Sequence, residues 1–469
     1  MPQGSSITEG NDTPVPHFLD RAATVAPLGF NRWFVPPAAI AAHMCIGQVY
    51  GFSVFNKPMA AEIFNKPLTG NLAAEISQVQ WAYSIALIML GLSAAVFGKW
   101  VERSGPRKTI VISWLCFCGG LLLGALGVRL KSLPLVLFGY GFVGGIGMGL
   151  GYIAPVSTLV KWFPDRPGMA TGMAIMGFGG GALIGSPLAQ MLMDFFKADA
   201  DTGATHTLVI MALIYSGFML AGAALVRVPA EGWTPPGWKP SVKIGGMISA
   251  HSVPVDSAWK TPQFWFLWLV LCMNVSAGIG VLGRASDMFQ DMFLGSSTDA
   301  AQIRATAAIG AGFAGLLSIF NMGGRFVWSS VSDKIGRKRV YGIYFILGAV
   351  LYALLPWAQQ TQSPVAFVAL AAVIISMYGG GFATIPAYLK DMFGSYQVGA
   401  IHGRLITAWS MAAVIGPLLL NKLYASRVAA GVPKAEAYNG TFYLMGGLLA
   451  VGLVANLLVR PVDSRHHVK

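Results

Sequence analysis

One arginine in this chain stands where an arginine is costly. Within IFNMGGRFVWSSVSDKIGRKR, residues 319–339, Arg325 lies in an apolar segment eight residues before Asp333 and the basic cluster Lys334, Arg337, Lys338 and Arg339. At about 1.5 Å per helical residue, eight residues span roughly 12 Å, close to half of a hydrocarbon core about 30 Å thick. A guanidinium at that depth is expensive unless it faces protein or a water-filled path. Asn321 lies one turn earlier, at i and i+4, so the two share a helix face and the amide can orient the guanidinium. A planar fork of donors matches a carboxylate in bidentate geometry, and the chemistry these residues suit is anion binding.

Other polar and aromatic residues fall inside apolar segments. His43, Gly47 and Tyr50 share a face by three-four spacing, with Gln48 beside them. An inward histidine could bind an anion or carry a proton, or it could complete an interhelical hydrogen bond. Tyr378 and Phe382 lie on one face just before Pro386, and Trp81, Tyr83 and Tyr152 are further candidates for a pocket wall. The alternative for each is packing or an interfacial belt. The runs GGIGMGLG and GFGGGALIG sit inside apolar spans, where they allow close helix packing and do not read as dinucleotide loops. No GxxxxGK[ST] occurs, so ATP-driven transport by this chain alone is not supported.

The elements that must hold these residues are membrane helices. Of 469 residues, 55% are hydrophobic and 11% charged, with a mean hydropathy of +0.61. That is far more apolar than a soluble domain. Uncharged runs of about twenty residues suit spanning helices rather than barrel strands. The fold expected is all-α, with twelve spans near 33–55, 79–100, 109–128, 134–161, 169–192, 207–227, 262–284, 304–329, 341–358, 365–389, 400–423 and 440–460. The net charge of +13 sits largely in short loops, which fits membrane orientation and not nucleic acid. Cys45, Cys116, Cys118 and Cys272 lie in apolar spans without metal-like spacing, so neither a disulfide frame, a metal site nor a cofactor is expected.

Basic loops carry Lys99, Arg103, Arg107 and Lys108 after the second span, and Lys334, Arg337, Lys338 and Arg339 after the eighth. The loop PWAQQTQSPV between spans nine and ten has no charge, so the expectation is that both basic loops and both termini are cytoplasmic, in an inner membrane. The first thirty residues lack the pattern of a signal peptide and read as an uncleaved tail. Residues 1–32 are then a tail, 33–228 a six-helix half, 229–260 a linker, 261–460 a second half and 461–469 a short tail. With an offset of 231 residues, Glu102 falls on Asp333, Gly105 on Gly336, Pro155 on Pro386, Gly172 on Gly403 and Gly185 on Gly416. Two similar six-helix halves form a parallel repeat, the plan of many secondary transporters, with a substrate site between the halves. The echoed FNKP at 55–58 and 64–67 has no functional account.

The loops GKWVERSGPRK and SSVSDKIGRKR resemble the signature of the major facilitator superfamily. That resemblance implies a charge relay steadying one gating state, with Glu102 or Asp333 set against neighbouring arginines such as Arg103, Arg107 and Arg337. Glu102 stands where aspartate is usual and Ser329 where glycine is usual, and the serine could loosen helix packing. KWFPDRPGMATGMAIMGFGGGALIGSP, FNMGGR and IHGRLITAWSMAAVIGP resemble the oxalate/formate antiporter family, prokaryotic relatives of the monocarboxylate transporters. The resemblance covers nearly all of the chain after residue 30 and assigns the substrate carboxylate to Arg325. Asn321 replaces a titratable aspartate of the animal transporters, which favours exchange or uniport over proton symport. Trp409 stands where the oxalate-selective antiporter has a second cation, and the nearest arginine is Arg404, either reaching inward or answering the orientation rule. The expected cargo is therefore a small monocarboxylate such as lactate or formate, with oxalate exchanged for formate or proton symport as alternatives. A membrane enzyme is not expected, and a monomer in the lipid bilayer is.

Overall fold

The computed structural model describes residues 17–68, 72–197, 202–238, 248–249, 251–294 and 300–467, with side chains of 73 and 300–308 left aside. Residues 1–16 of the expected N-terminal tail, residues 239–247 and 250 of the expected linker, and residues 468–469 lie outside these. Every regular element among the described residues is a helix, apart from one isolated bridge between Val25 and Val228.

The spans are α1 (Arg32–Gly51, continued by Ser53–Ile63 after a 59° bend), α2 (Ala73–Ser104), α3 (Pro106–Arg129), α4 (Leu133–Trp162), α5 (Pro167–Phe196) and α6 (Ala204–Leu225). After the linker come α7 (Pro262–Gly283), α8 (Ala300–Ile335), α9 (Arg337–Gln360), α10 (Pro364–Phe393), α11 (Val398–Ala429) and α12 (Lys434–Leu458). Ten are long and apolar enough to cross a membrane; the bent α1 pair makes an eleventh, and the 36-residue α8 completes twelve. The helices outrun the apolar windows because their polar ends continue past the hydrocarbon. A separate helix at Ala285–Phe293, between α7 and α8, was outside the expectation.

Local chemistry sets the boundaries. Proline stands in the first turn of α3, α5, α7 and α10, where its missing N–H costs nothing. Gly105 (φ +81°) and Gly336 (φ +92°) make the two tight reversals after α2 and α8 in a conformation that glycine tolerates best. They are 231 residues apart, so the echo read in the sequence is the same turn built twice. The FNKP echo is not: the first copy lies within the Ser53–Ile63 helix, whereas the second ends it at Asn65 (φ 54°).

Glycine faces decide where α8 sits. On α5, a β-carbon added at Gly172 would stand 2.1 Å from Ser329 Oγ and 2.7 Å from the Arg325 carbonyl oxygen. On α10, one at Gly379 would stand 2.2 Å from the Asn321 carbonyl oxygen. The helix bearing Arg325 is thus clamped between two glycine surfaces at closer range than any larger residue permits. Ser329 does not loosen this contact: it is fully buried and donates back to the Arg325 carbonyl, its bulk received by Gly172.

Candidate anion-binding site

Arg325 is fully buried. Its Nε donates to Asn321 Oδ1 (3.3 Å) and its Nη1 to the carbonyl oxygen of Ile175 on α5 (3.1 Å), while Nη2 has no partner. The i, i+4 amide therefore orients the guanidinium as its spacing suggests. No carboxylate pairs with Arg325 among the described residues. The guanidinium lies among three rings, with its central carbon 5.1 Å from the centroid of Phe382, 5.8 Å from Tyr50 and 5.9 Å from Phe178. Gly179 makes room for it, since a β-carbon there would approach Nε to 2.9 Å.

A ring of orphaned polar atoms surrounds this cation. The hydroxyls of Tyr50, Tyr152 and Tyr378, Trp409 Nε1 and both ring nitrogens of His402 are buried without partners. Trp409 lies 5.8 Å from Phe382 and 6.4 Å from Tyr50, centroid to centroid. Tyr152 lies 5.6 Å from Phe382 and 5.5 Å from His402. A buried polar group left unpaired costs about 1–3 kcal/mol, and native folds hold only a few per hundred residues. Their concentration around an unpaired guanidinium describes a place for an acceptor that bears negative charge.

Some expected residues are elsewhere. Trp81 is 58% exposed and has no place among the buried rings around Arg325. Gln48 is buried with an unpaired amide, but it packs on Gly185 beside Tyr215 within the first six helices. Arg404 lies at the helix ends, donating to Asp256 (3.0 Å) and to the carbonyl oxygen of Val255 (3.0 Å). His43 is buried with Nδ1 2.7 Å from the Ala174 carbonyl oxygen and Nε2 3.0 Å from that of Tyr152, stitching α1 to α5 and α4. Two residues of the ring were not anticipated, Phe178 and His402. His402 lies seven residues, two turns, before Trp409, a spacing that places both on one face.

The charged loops join the two groups of six helices on the face that carries the described ends of the chain. Asp333 accepts from the backbone N–H groups of Gly168 (2.9 Å) and Met169 (2.8 Å) at the start of α5, and from Arg337 (2.5 Å). Glu102 accepts from the N–H of Gly399 (3.0 Å) at the start of α11. Gly168 and Gly399 are again 231 residues apart, so each acid caps the matching helix of the opposite six. Both contacts also gain from the helix dipole. The expected partners of the first acid need correcting. Glu102 pairs with Lys161 (2.5 Å) and Ser157 (2.7 Å) on α4, while Arg103 is exposed and Arg107 donates to the carbonyl oxygens of Phe18 (2.8 Å) and Ala223 (3.2 Å). Arg337 is joined to both Asp333 and Asp391 (3.1 Å).

Known proteins share this plan. Residues 38–324 and 294–469 match the sequence model of the Major Facilitator Superfamily. The uncharacterized MFS-type transporter YhjX of Escherichia coli is 26% identical over 82% of this chain and 86% of its own length. The oxalate:formate antiporter of Oxalobacter formigenes is 26% identical over 82% and 83%. Monocarboxylate transporter 2 of Mesocricetus auratus is 28% identical over 35% of this chain and 30% of its own. Among solved structures, the E. coli fucose:proton symporter FucP superposes with a TM-score of 0.63 at 13% identity, covering 92% of this chain and 100% of that one. The proton:xylose symporter XylE gives 0.63 at 17%, covering 91% and 95%. The twelve-helix fold and the family match together establish that the chain belongs to the major facilitator superfamily, whose members are non-enzymatic membrane transporters.

Proposed function

We propose that the chain carries small carboxylates across the cytoplasmic membrane by alternating access, exchanging one anion for another. The observation that carries this reading is Arg325 Nη2, buried with no acid beside it among the described residues and ringed by unpartnered donors. A carboxylate has two oxygens and about four lone-pair positions, enough to accept from the guanidinium and several of the tyrosine and tryptophan donors. The relatives named for oxalate, formate and monocarboxylates support an organic anion as cargo. One central cation suits one carboxylate, so lactate or formate is preferred. Oxalate against formate is the rival cargo, and it lacks a second cation because Arg404 is engaged with Asp256.

The halves, residues 33–228 and 261–460, rock around this site. An occupied site is charge-balanced, whereas an empty one leaves an uncompensated guanidinium closed off in the membrane interior as the halves pass each other, which opposes return without cargo. The basic loops support a cytoplasmic position for both termini. One chain supplies the whole ring, so a monomer is the working unit. A second reading, proton-coupled symport, is favoured by His43: neutral imidazole can donate to only one of its two carbonyl neighbours, and imidazolium to both.

Purified protein in liposomes tests the reading by uptake of radiolabelled lactate, formate and oxalate, with and without unlabelled anion inside. Uptake that requires a loaded interior is expected. Uptake into empty liposomes driven by an inward proton gradient would replace exchange with symport through His43, and no uptake of any carboxylate would overturn the cargo class.

A further inference from the structure

The segment between α6 and α7 is attached to both groups of six helices. Its start rides on the first: Val228 N donates to the Thr24 carbonyl (2.9 Å), and Trp233 packs edge-on against Trp162 with centroids 4.7 Å apart. Its end is bound to the last six. Ser249 N donates to the Asp391 carbonyl (2.7 Å), Val253 N to that of Phe393 (2.8 Å) and Val255 N to Gln397 Oε1 (2.9 Å). Val253, Val255 and Ala258 are buried against these helices. Residues 253–258 therefore move with α10 and α11.

Asp256 projects from this strap and is held from both sides. Its Oδ1 accepts from Arg404 Nη2 on α11 (3.0 Å), the same arginine that donates to the Val255 carbonyl and lies over the Trp259 ring at 5.4 Å. Its Oδ2 takes the Lys99 ammonium of α2, which belongs to the first six helices. Arg404 is thereby a positioning residue that fixes the strap, and Lys99 to Asp256 is the contact that crosses between the halves. The two cations, Lys99 first, hold the Asp256 carboxyl below its ordinary range, so the carboxylate stays charged at neutral pH.

We propose that Asp256 is a latch: carried by the linker on the second half, it pins Lys99 of the first and holds the terminal face closed, and the pair parts each time that face opens. It acts beside the helix-capping contacts of Glu102 and Asp333 and differs from them in kind. Those bury charge against helix ends, whereas this pair is exposed, with side chains 38% and 59% accessible. It is therefore weak and screened by salt, suited to biasing an equilibrium without locking it.

The test needs no substrate and so does not depend on the carboxylate reading. Spin labels at cysteines introduced for the exposed residues Lys108 and Ser395, in a background with the four native cysteines replaced, report the opening of the terminal face as a distance distribution. Asp256→Asn and Lys99→Gln should each raise the open-to-closed ratio about two- to fivefold, the range of an exposed pair. The double variant should raise it no further than either alone, and 1 M KCl should abolish the difference from wild type. Unchanged distributions in both single variants, or effects that multiply in the double variant, would overturn the latch. Both side chains are at the surface, so misfolding does not confound the reading, and thermal unfolding of each variant verifies this.

Discussion

Two adjacent glycines on α5 give the sharpest test of how Arg325 is held. A β-carbon at Gly179 would lie 2.9 Å from Arg325 Nε, 3.1 Å from its Cζ and 3.2 Å from its Cδ. At Gly180 it would meet only the Met322 side chain, Sδ at 2.8 Å and Cγ at 3.8 Å. Met322 is a flexible thioether that can move aside, whereas Arg325 is fixed by Asn321 and the Ile175 carbonyl. Relieving the Gly179→Ala overlap takes a shift of about 0.5 Å from the guanidinium, and its bond to Asn321 is already 3.3 Å long. Losing that bond and the aim of Nη2 costs about 1.5–3 kcal/mol, the range for hydrogen bonds to charged groups, or roughly 10- to 150-fold in substrate affinity. Neither substitution harms the helix, because alanine in place of glycine gains about 1 kcal/mol of helix propensity. Carboxylate exchange in liposomes, with membrane insertion checked by detergent-solubilised size and thermal unfolding, gives the apparent KM. The expected outcome is a KM raised at least tenfold for Gly179→Ala and within about threefold of wild type for Gly180→Ala. Equal KM values for the two variants would refute this account of how the cation is positioned.

Asp333→Asn removes the charge that caps α5 and pairs with Arg337, leaving Arg337 with Asp391 and the Ser332 hydroxyl; the open-to-closed ratio of the terminal face should rise at least tenfold, read by the same label pair. Arg32 grips Asp165 through two bonds of 2.6 and 3.0 Å, and Arg32→Ala should cost about 2 kcal/mol, measured by thermal unfolding. Partial burial alone would raise the Asp165 carboxyl, but the hydrogen bond and charge of Arg32 outweigh it and hold the group below its ordinary range. The stabilisation is therefore present above about pH 4 and is lost as pH falls through the depressed value; wild type should lose stability there and Arg32→Ala should lose less. Trp81→Ala removes an exposed ring of α2 and should leave the KM within about twofold of wild type, while a larger change would draw Trp81 into the pathway.

Much of this molecule could be read before its structure. Apolar windows located the helices because a bilayer admits few alternatives, and Arg325 with Asn321 was legible because a costly charge and its i+4 neighbour are local signals. The 231-residue echo pointed to both acids, but not to their partners. Lys161 is 59 residues from Glu102 and Gly168 is 165 from Asp333, separations on which spacing is silent. Trp81 could not be sorted from the buried aromatics because residues 76–98 of α2 carry no charge to mark one face from another. Phe178 was hidden by its setting, a lone ring in a glycine run that reads as packing; packing is what brings it to the cation. Arg404 had two open readings, and its choice rested on Asp256, a linker residue with no local pattern.

The central claim is that the free nitrogen of Arg325 takes the carboxylate of the cargo. Counterflow of radiolabelled lactate or formate into liposomes loaded with the same anion tests it, comparing wild type with Arg325→Gln and Arg325→Lys. The glutamine variant nearly matches the volume without the charge, and the lysine variant keeps the charge without the planar fork. Both variants should insert normally, the glutamine variant should lose counterflow to the level of empty liposomes, and the lysine variant should retain at most a few per cent. Counterflow at the wild-type rate in a correctly folded glutamine variant would contradict the central claim.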